Sequence, residues 1–561
     1  MKIIIIGGVA GGASAAARLR RLDEKCEIII FERTNFVSYA TCGLPYYIGD
    51  VITDENQLTI QTPESFKRRF NIDVRTKHEV ININVNEKKV EVKNLISNEI
   101  FFESFDKLIL ATGSKPILPS FYKESEKVFT LRTIEDTKKI KSYINKHNIK
   151  SATIIGAGYI GIELAENLRN LNMDVNIVDV NDQVLSILDK DIVSFVHATL
   201  KKNGVKLSLN DKVEDIIIED NKVITVLSNN KITSDIVIVA VGVVPESILA
   251  KKVGLELGLK DSIKVDEYMR TSIEDIYAVG DAIEVNNFIT NTDTLIPLAG
   301  PASKQGRVAA DNICGINSSY AGSIGTSILK IFDLNVASVG INEKECINKG
   351  IKYEKVILSP LNHAGYYPNA NVLTIKLIYD KSSLNILGAQ LIGTEGVDKR
   401  IDVIATAIKA KMKAYDLAYL ELAYAPPFSS SKDPINLAGF IVENIENGLV
   451  KQFYYEDIDN LRKDPNVILL DTRTPLEYGR GFAEGFINIP LDNLRERINE
   501  LDKSKKIYVM CQSGLRSYLA TRILVQNGFD AYNFAGGFRL YSSIKNEEML
   551  SKQCYTCGME K

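Results

Sequence analysis

Two cysteines stand in stretches able to do sulfur chemistry. Cys42 lies in Ser38-Tyr39-Ala40-Thr41-Cys42-Gly43-Leu44-Pro45, and a partner at Cys-x4-Cys spacing is lacking, because those positions hold Val37 and Tyr47. A lone redox thiol must find its disulfide partner in the substrate. That narrows its chemistry to a small disulfide, a persulfide or a peroxide, and the thiol must ionise to attack. Cys511 opens Cys511-Gln512-Ser513-Gly514-Leu515-Arg516-Ser517, directly after the apolar run 506–510. A cysteine at a strand end, followed by a loop that closes into a helix, sits among inward N–H groups that stabilise a thiolate or persulfide anion. Arg516 would add positive charge there or brace the loop.

The elements that must position these thiols are legible as a repeat. Residues 2–6 form an apolar strand that runs into Gly7-Gly8-Val9-Ala10-Gly11-Gly12, then an Ala-rich helix, then a second strand ending at Glu32. The pattern returns with strand 152–155, the loop Gly156-Ala157-Gly158-Tyr159-Ile160-Gly161, a helix through Asn170 and strand 175–178 before Asp179. Glycines let backbone approach a pyrophosphate, the helix N-terminus supplies oriented N–H groups, and the acid at the second strand end accepts a ribose hydroxyl. Two such units imply two dinucleotides. Asp179 repels a 2′-phosphate, and positions 180–188 hold no arginine, so NADH is expected over NADPH, which stays as the alternative.

Composition bounds the rest. The 561 residues carry a formal charge of −3, which gives no reason to expect nucleic acid or an acidic membrane surface as partner. No run approaches the ~18 apolar residues of a spanning helix, and Ile3–Ile6 is too short for a signal sequence. Seven scattered cysteines read as reduced thiols of a cytoplasmic protein. Cys554 and Cys557 have redox or zinc spacing but supply only half of a four-ligand site, so no metal is expected. Cys26, Cys314 and Cys346 are read as structural.

Two further strands break at glycine, 108–112 before Gly113 and 276–279 before Gly280 and Asp281. With the two glycine loops they resemble the two-dinucleotide flavoproteins, in which the first unit holds FAD and the inserted second holds NAD(P)H. That resemblance gives Asp281 the flavin's ribityl chain. Residues 1–450 are similar in motif and order to coenzyme A-disulfide reductases and their persulfide-reducing relatives, through Tyr39-Ala40-Thr41-Cys42-Gly43-Leu44-Pro45-Tyr46, His363-Ala364-Gly365-Tyr366-Tyr367-Pro368 and Tyr424-Ala425-Pro426-Pro427-Phe428-Ser429. By this resemblance Cys42 is the redox nucleophile, and Tyr366 and Tyr424 reach it from the partner of a homodimer, with Tyr367 as the alternative tyrosine. Coenzyme A contacts would fall on Ser14, Arg18, Arg21, Ser38, Thr41 and Lys432. Thr41 stands where many members carry Asn, and Phe70 falls near a basic position of some, so another thiol carrier stays open. From about residue 451 the chain resembles single-domain rhodaneses, through Asp471-Thr472-Arg473-Thr474-Pro475-Leu476-Glu477-Tyr478 and the Cys511 loop. Phe482 departs from that family's usual histidine.

The expected architecture is therefore α/β: an FAD-binding domain from 1–111 and 240–320, an NAD-binding domain at 112–239, an α+β dimerisation domain at 321–450, a rhodanese domain at 451–546 and a tail at 547–561. The expected activity is NADH-dependent, FAD-containing reduction of coenzyme A disulfide and coenzyme A persulfide or polysulfide. The alternatives are an NADH oxidase or peroxidase cycling Cys42 through a sulfenic acid, against which Ala10 stands where such relatives carry histidine, and a sulfurtransferase with an accessory flavoprotein part.

Overall fold

A computed structural model describes residues 1–556, with side chains through Met549; the Cys554 thiol and Cys557 lie outside these described atoms. The chain forms two compact units, one of Met1–Asp182 with Gly204–Gly325, the other of Gln183–Asn203 with the chain from Thr326 onward. No helix among the described residues is long and apolar enough to cross a membrane.

Strand Lys2–Ile6 is apolar on both faces, as a central parallel strand must be when both sides of its sheet are covered. It lies between Glu27–Glu32 and Lys107–Leu110, with Asp73–Thr76 and Ile276–Ala278 at the edges, all parallel. The second sheet of this unit repeats the plan: Ser151–Ile155 lies between Asp174–Val178 and Ile236–Val239, flanked by Val205–Ser208 and Val128–Thr130. Both central strands end in their glycine loops at the carboxyl edge, where open α/β sheets bind ligands. The helix Ala10–Leu22 packs on Ala299–Ile313. A Cβ at Gly306 would collide with the Gly11 carbonyl, so glycine there permits the close crossing.

The second unit carries an antiparallel sheet ordered Ser327–Ile331, Leu334–Gly340, Ile386–Gly393, Thr374–Asp380, Tyr353–Leu358. The strand Thr374–Asp380 starts two residues after Val372, which makes only an isolated bridge to Leu361. The helix Val397–Lys409 packs on this sheet. A separate parallel sheet follows, with Lys506–Met510 between Val467–Asp471 and Ala531–Phe534. It is tied to its neighbours within the unit: the Tyr454 hydroxyl donates to the Lys355 carbonyl at 2.8 Å, and Gly536 N–H to the Ile357 carbonyl at 3.1 Å. The helix Gly537–Thr556 packs along Lys190–Lys202, where Ser543 meets Ser194 at 2.8 Å and Glu547 meets the buried His197.

A buried charge cluster sits at this junction. Lys376, with no exposed surface, places Nζ 2.8 Å from both Asp191 oxygens, 3.0 Å from Asp189 and against Glu343, and Lys355 bridges Glu343 to Glu456. Asp189, Asp191 and Glu343 are close enough to share a cation, and the Lys376 ammonium fills that place. Burial alone would push Glu343 up, but Lys376 and Lys355 outweigh it and bring its pKa to about 2. Removing one member of a buried ionic set leaves uncompensated charge, which destabilises by roughly 3–5 kcal/mol. Lys376→Met is therefore expected to lower the unfolding free energy by that margin, read as a lower urea midpoint; an unchanged urea transition would show that the carboxylates find another counter-charge.

Candidate functional site

The first glycine loop is built for close approach. Gly7 has φ +97°, and a Cβ at Gly12 would strike the Gly7 carbonyl. Glu32, buried at the strand end, takes Gly8 N–H at 3.0 Å on one oxygen and Thr34 N–H at 2.9 Å on the other. A cavity of about 300 Å³ opens beside this loop, lined by Gly7, Glu32, Thr41, Gly113, Arg132 and Glu246 among others. A helix N-terminus, a carboxylate and a guanidinium around one cavity are the groups that a dinucleotide's phosphates and ribose require, so the residues fit FAD. Asp281 projects from the turn after Ile276–Ala278; its Oδ2 accepts from Arg132 at 2.7 Å and from Ser114 at 3.0 Å. Gly113, at φ +70°, presents its carbonyl to Glu246 N–H.

The second loop repeats the device. Gly156 has φ +110°, a Cβ at Gly161 would strike the Gly156 carbonyl, and Gly158 faces open space. Asp179 accepts Ala157 N–H at 2.7 Å and Asn181 N–H at 2.9 Å, the same acid-to-loop bond that Glu32 makes to Gly8.

Cys42 lies in the turn Thr41–Gly43 at the head of the short helix Leu44–Ile48, and its thiol is exposed. That helix packs on Tyr159–Asn170, the helix of the second glycine unit. The packing brings up Glu163, whose carboxyl accepts from the Tyr46 hydroxyl at 3.5 Å. Neighbouring protein atoms desolvate the Cys42 sulfur in part and so hold its pKa above the ordinary thiol value; Glu163 and Asp281 push the same way and Arg132 opposes them. Burial raises Glu163 itself from 4.5 to about 7. Between those pH values the folded protein holds a proton that the unfolded chain has released, so stability falls as pH rises through the window and levels off above it. Glu163→Gln removes the effect. The variant is expected to gain about 2–3 kcal/mol relative to the parent between pH 4.5 and 7.5, read by urea unfolding at each pH; a constant gap across that range would contradict it.

On the antiparallel-sheet unit, Tyr366 and Tyr424 stand side by side, their hydroxyls 3.1 Å apart and both rings exposed. Hydrogen bonding to Tyr424 raises the pKa of Tyr366. Tyr367 turns instead onto the buried His363, ring edge to face at 5.7 Å. Exposed Tyr419 and Phe428 belong to the same unit.

The residues read as coenzyme A contacts are dispersed. Ser14 and Arg18 lie one turn apart on Ala10–Leu22, and Arg18 is already engaged by Asp311 at 2.6 Å. Arg21 and Lys432 are exposed. Ser38, at φ +47°, donates its N–H to the Gly8 carbonyl and accepts the Ile60 N–H on its own carbonyl, and Thr41 lines the cavity. Phe70 packs on Phe66.

Cys511 follows the strand Lys506–Met510 and is buried. Its Sγ accepts Gly514 N–H at 3.1 Å and the Ser517 hydroxyl at 3.2 Å. The loop is held from behind by Phe538 N–H on the Cys511 carbonyl and Arg539 N–H on the Gln512 carbonyl. Arg516 braces it: both terminal nitrogens bond Glu477, each at 2.7 Å. Hydrogen bonding to Arg516 takes Glu477 down to about 2. Phe482 stacks on Tyr478. Cys26 and Cys346 are buried and Cys314 half-buried; with Cys42 and Cys511 all five are free thiols.

Arg132 and Glu163 are absent from the sequence reading, and Tyr46 and Glu477 stand there only as motif positions without a role. Two carried a local signal: Tyr46 is one helical turn from Cys42, and Glu163 follows the last glycine of the second loop by two positions.

Paired strand–glycine loop–helix units, a lone exposed thiol and a second α/β sheet with a cysteine loop define a two-dinucleotide flavoprotein fused to a sulfurtransferase-type domain. The chain belongs to the pyridine nucleotide-disulphide oxidoreductase family, whose model matches residues 1–306. Its dimerisation domain matches 326–434 and a rhodanese-like domain matches 455–543. Membership implies FAD and NAD(P)H, and the dimerisation domain implies a homodimer. The chain is 37% identical over 440 residues to a coenzyme A disulfide reductase of Staphylococcus haemolyticus, covering 78% of this chain and 98% of that one. It is similar along nearly its whole length to the reduced CoADR-RHD of Bacillus anthracis, with 48% identity, TM-score 0.95 and coverage of 97% and 98%. It is likewise similar to an NAD-dependent persulfide reductase from A. fulgidus, with 37% identity, TM-score 0.90 and coverage of 96% and 100%.

Proposed function

We propose that the protein is an NADH-dependent, FAD-containing reductase of coenzyme A disulfide and of coenzyme A persulfide or polysulfide, working as a homodimer, with a rhodanese domain that handles sulfane sulfur. The observation that carries the reading is Cys42, exposed, without a cysteine partner and adjoining the FAD-type cavity that Thr41 lines. Gly7, Gly8, Gly11, Gly12, Glu32, Gly113 and Asp281 would hold FAD; Gly156, Gly158, Gly161 and Asp179 would hold NADH. Bound FAD supplies the two-electron relay between the nicotinamide and sulfur.

The chain's own residues do the sulfur steps. The Cys42 thiolate attacks one sulfur of coenzyme A disulfide; that S–S bond breaks, a Cys42–S–S–coenzyme A bond forms, and one coenzyme A leaves as thiolate. Tyr366 and Tyr424 of the partner subunit would protonate it, since paired phenols can pass a proton along their hydrogen bond. With coenzyme A persulfide the same attack releases hydrosulfide. Ser14, Arg18, Arg21, Ser38, Thr41, Tyr367 and Lys432 are the proposed carrier contacts.

Asp179 is expected to set the nicotinamide choice: Asp179→Ala should narrow the NADH-over-NADPH preference in kcat/KM by about tenfold, and an unchanged ratio would remove its physical basis. The function itself is tested by anaerobic NADH oxidation with coenzyme A disulfide, coenzyme A persulfide and polysulfide in parallel, following sulfide. Fast turnover with sulfide release is expected from the persulfides. No turnover with any of the three would overturn the reading.

A further inference from the structure

The two tyrosines stand on separate loops, and one buried side chain ties both loops down. Arg400, on the helix Val397–Lys409, is 2% exposed. Its Nη2 donates to the Asn362 carbonyl at 2.8 Å, four residues before Tyr366, and to the Phe428 carbonyl at 3.2 Å, four residues after Tyr424. Its Nη1 donates to the Gly396 carbonyl at 3.2 Å. A Cβ at Gly396, where φ is +74°, would fall on that nitrogen, so glycine leaves the space that the guanidinium fills.

The counter-charge is equally shut in. Asp433, also 2% exposed, accepts from Arg400 Nη2 at 2.9 Å and Nε at 3.3 Å, and from the Ser429 hydroxyl at 2.8 Å. Burial pushes the Asp433 carboxyl up, but Arg400, the Ile435 N–H and Ser429 outweigh it and hold its pKa below the ordinary value. The two loops also meet directly, through Ala364 N–H on the Ser429 carbonyl at 3.1 Å. Lys399, beside Arg400, donates to the carbonyl of Ala423 at 3.3 Å, immediately before Tyr424.

The tyrosine rings themselves are loosely packed. Tyr366 is 77% exposed and Tyr424 49%, so side-chain packing contributes little to the 3.1 Å separation of their hydroxyls, and the backbone beneath them must set it. A buried ion pair adds little net stability over apolar packing, whereas a planar guanidinium fork fixes direction. We infer that Arg400 is a positioning residue for the reductase: by bonding both loops at once it sets the Tyr366–Tyr424 hydroxyl pair in the geometry that delivers a proton to the leaving thiolate. This rests on the acid role proposed above for the two phenols. In that step the phenol O–H breaks, the proton goes to the coenzyme A sulfur, and water restores it through the hydroxyl pair.

The test is a double-mutant cycle on the full-length flavoprotein, reading kcat and KM for coenzyme A disulfide with NADH. Tyr424→Phe alone should lower kcat about 100-fold. Arg400→Lys keeps a cation for Asp433 but cannot fork across two carbonyls. It should lower kcat about tenfold with KM within about twofold of the parent, while NADH still bleaches the flavin. In the Tyr424→Phe background the same change should cost no more than about twofold, because the hydroxyl pair it acts through is gone. A tenfold loss that persists in that background overturns the inference, as does an Arg400→Lys enzyme with the parental kcat or one whose loss lies wholly in KM. If Arg400→Lys does not accumulate as folded flavoprotein, Ser429→Ala, which takes a hydroxyl from the same ion pair, carries the cycle with a loss of about threefold and is judged by the same outcomes. An unchanged kcat in Tyr424→Phe would remove the acid role itself, and the inference with it.

Discussion

Cys42→Ser is expected to lower NADH-dependent reduction of coenzyme A disulfide by about three orders of magnitude, while NADH still bleaches the flavin absorbance of the variant. The split follows from where the residue stands. Reduction by nicotinamide needs the two glycine loops, Glu32, Asp179 and the cavity beside them, none of which uses the sulfur. Disulfide cleavage needs a nucleophile, and a serine hydroxyl at the same place stays protonated at neutral pH and forms no disulfide. The five described cysteines are all free, with Cys26, Cys346 and Cys511 buried, so none of these three stands in for an exposed thiol. A variant that keeps full disulfide turnover would remove the single-cysteine mechanism.

Cys511→Ser should give the mirror result: loss of sulfur transfer to cyanide by about three orders of magnitude, with NADH-dependent reduction of coenzyme A disulfide retained. Both donors on the Cys511 sulfur come from its own loop, and the brace Arg516–Glu477 lies within the same domain. Serine is nearly isosteric and can keep those bonds, so the loop should hold its shape while losing the atom that carries sulfur. If transfer survives, the sulfane sulfur is handled elsewhere. If disulfide reduction falls with it, the two centres form one obligatory pathway.

Much of this was legible because short motifs with a physical job fold locally. Each glycine loop shows its purpose in seven or eight neighbouring residues, and Glu32 and Asp179 fall where the strand length puts them. What stayed hidden is held by pairs distant in sequence. Arg132 meets Asp281 across 149 positions, and Lys376 meets Asp191 across 185; no local pattern announces either. The helix Lys190–Lys202 sits within the stretch read as nicotinamide-binding, yet packs in the unit of the antiparallel sheet. The choice between Tyr366 and Tyr367 is likewise a matter of side-chain direction, and the hydroxyl pairing singles out Tyr366 as Tyr424's neighbour.

The central claim is that substrate disulfide and Cys42 pass through one covalent bond. Intact mass and peptide mapping of the protein after anaerobic exposure to coenzyme A disulfide, before and after one equivalent of NADH, test it most directly. The account predicts one coenzyme A attached at Cys42 and its loss on reduction. Turnover by a protein that never carries coenzyme A on Cys42 would contradict it.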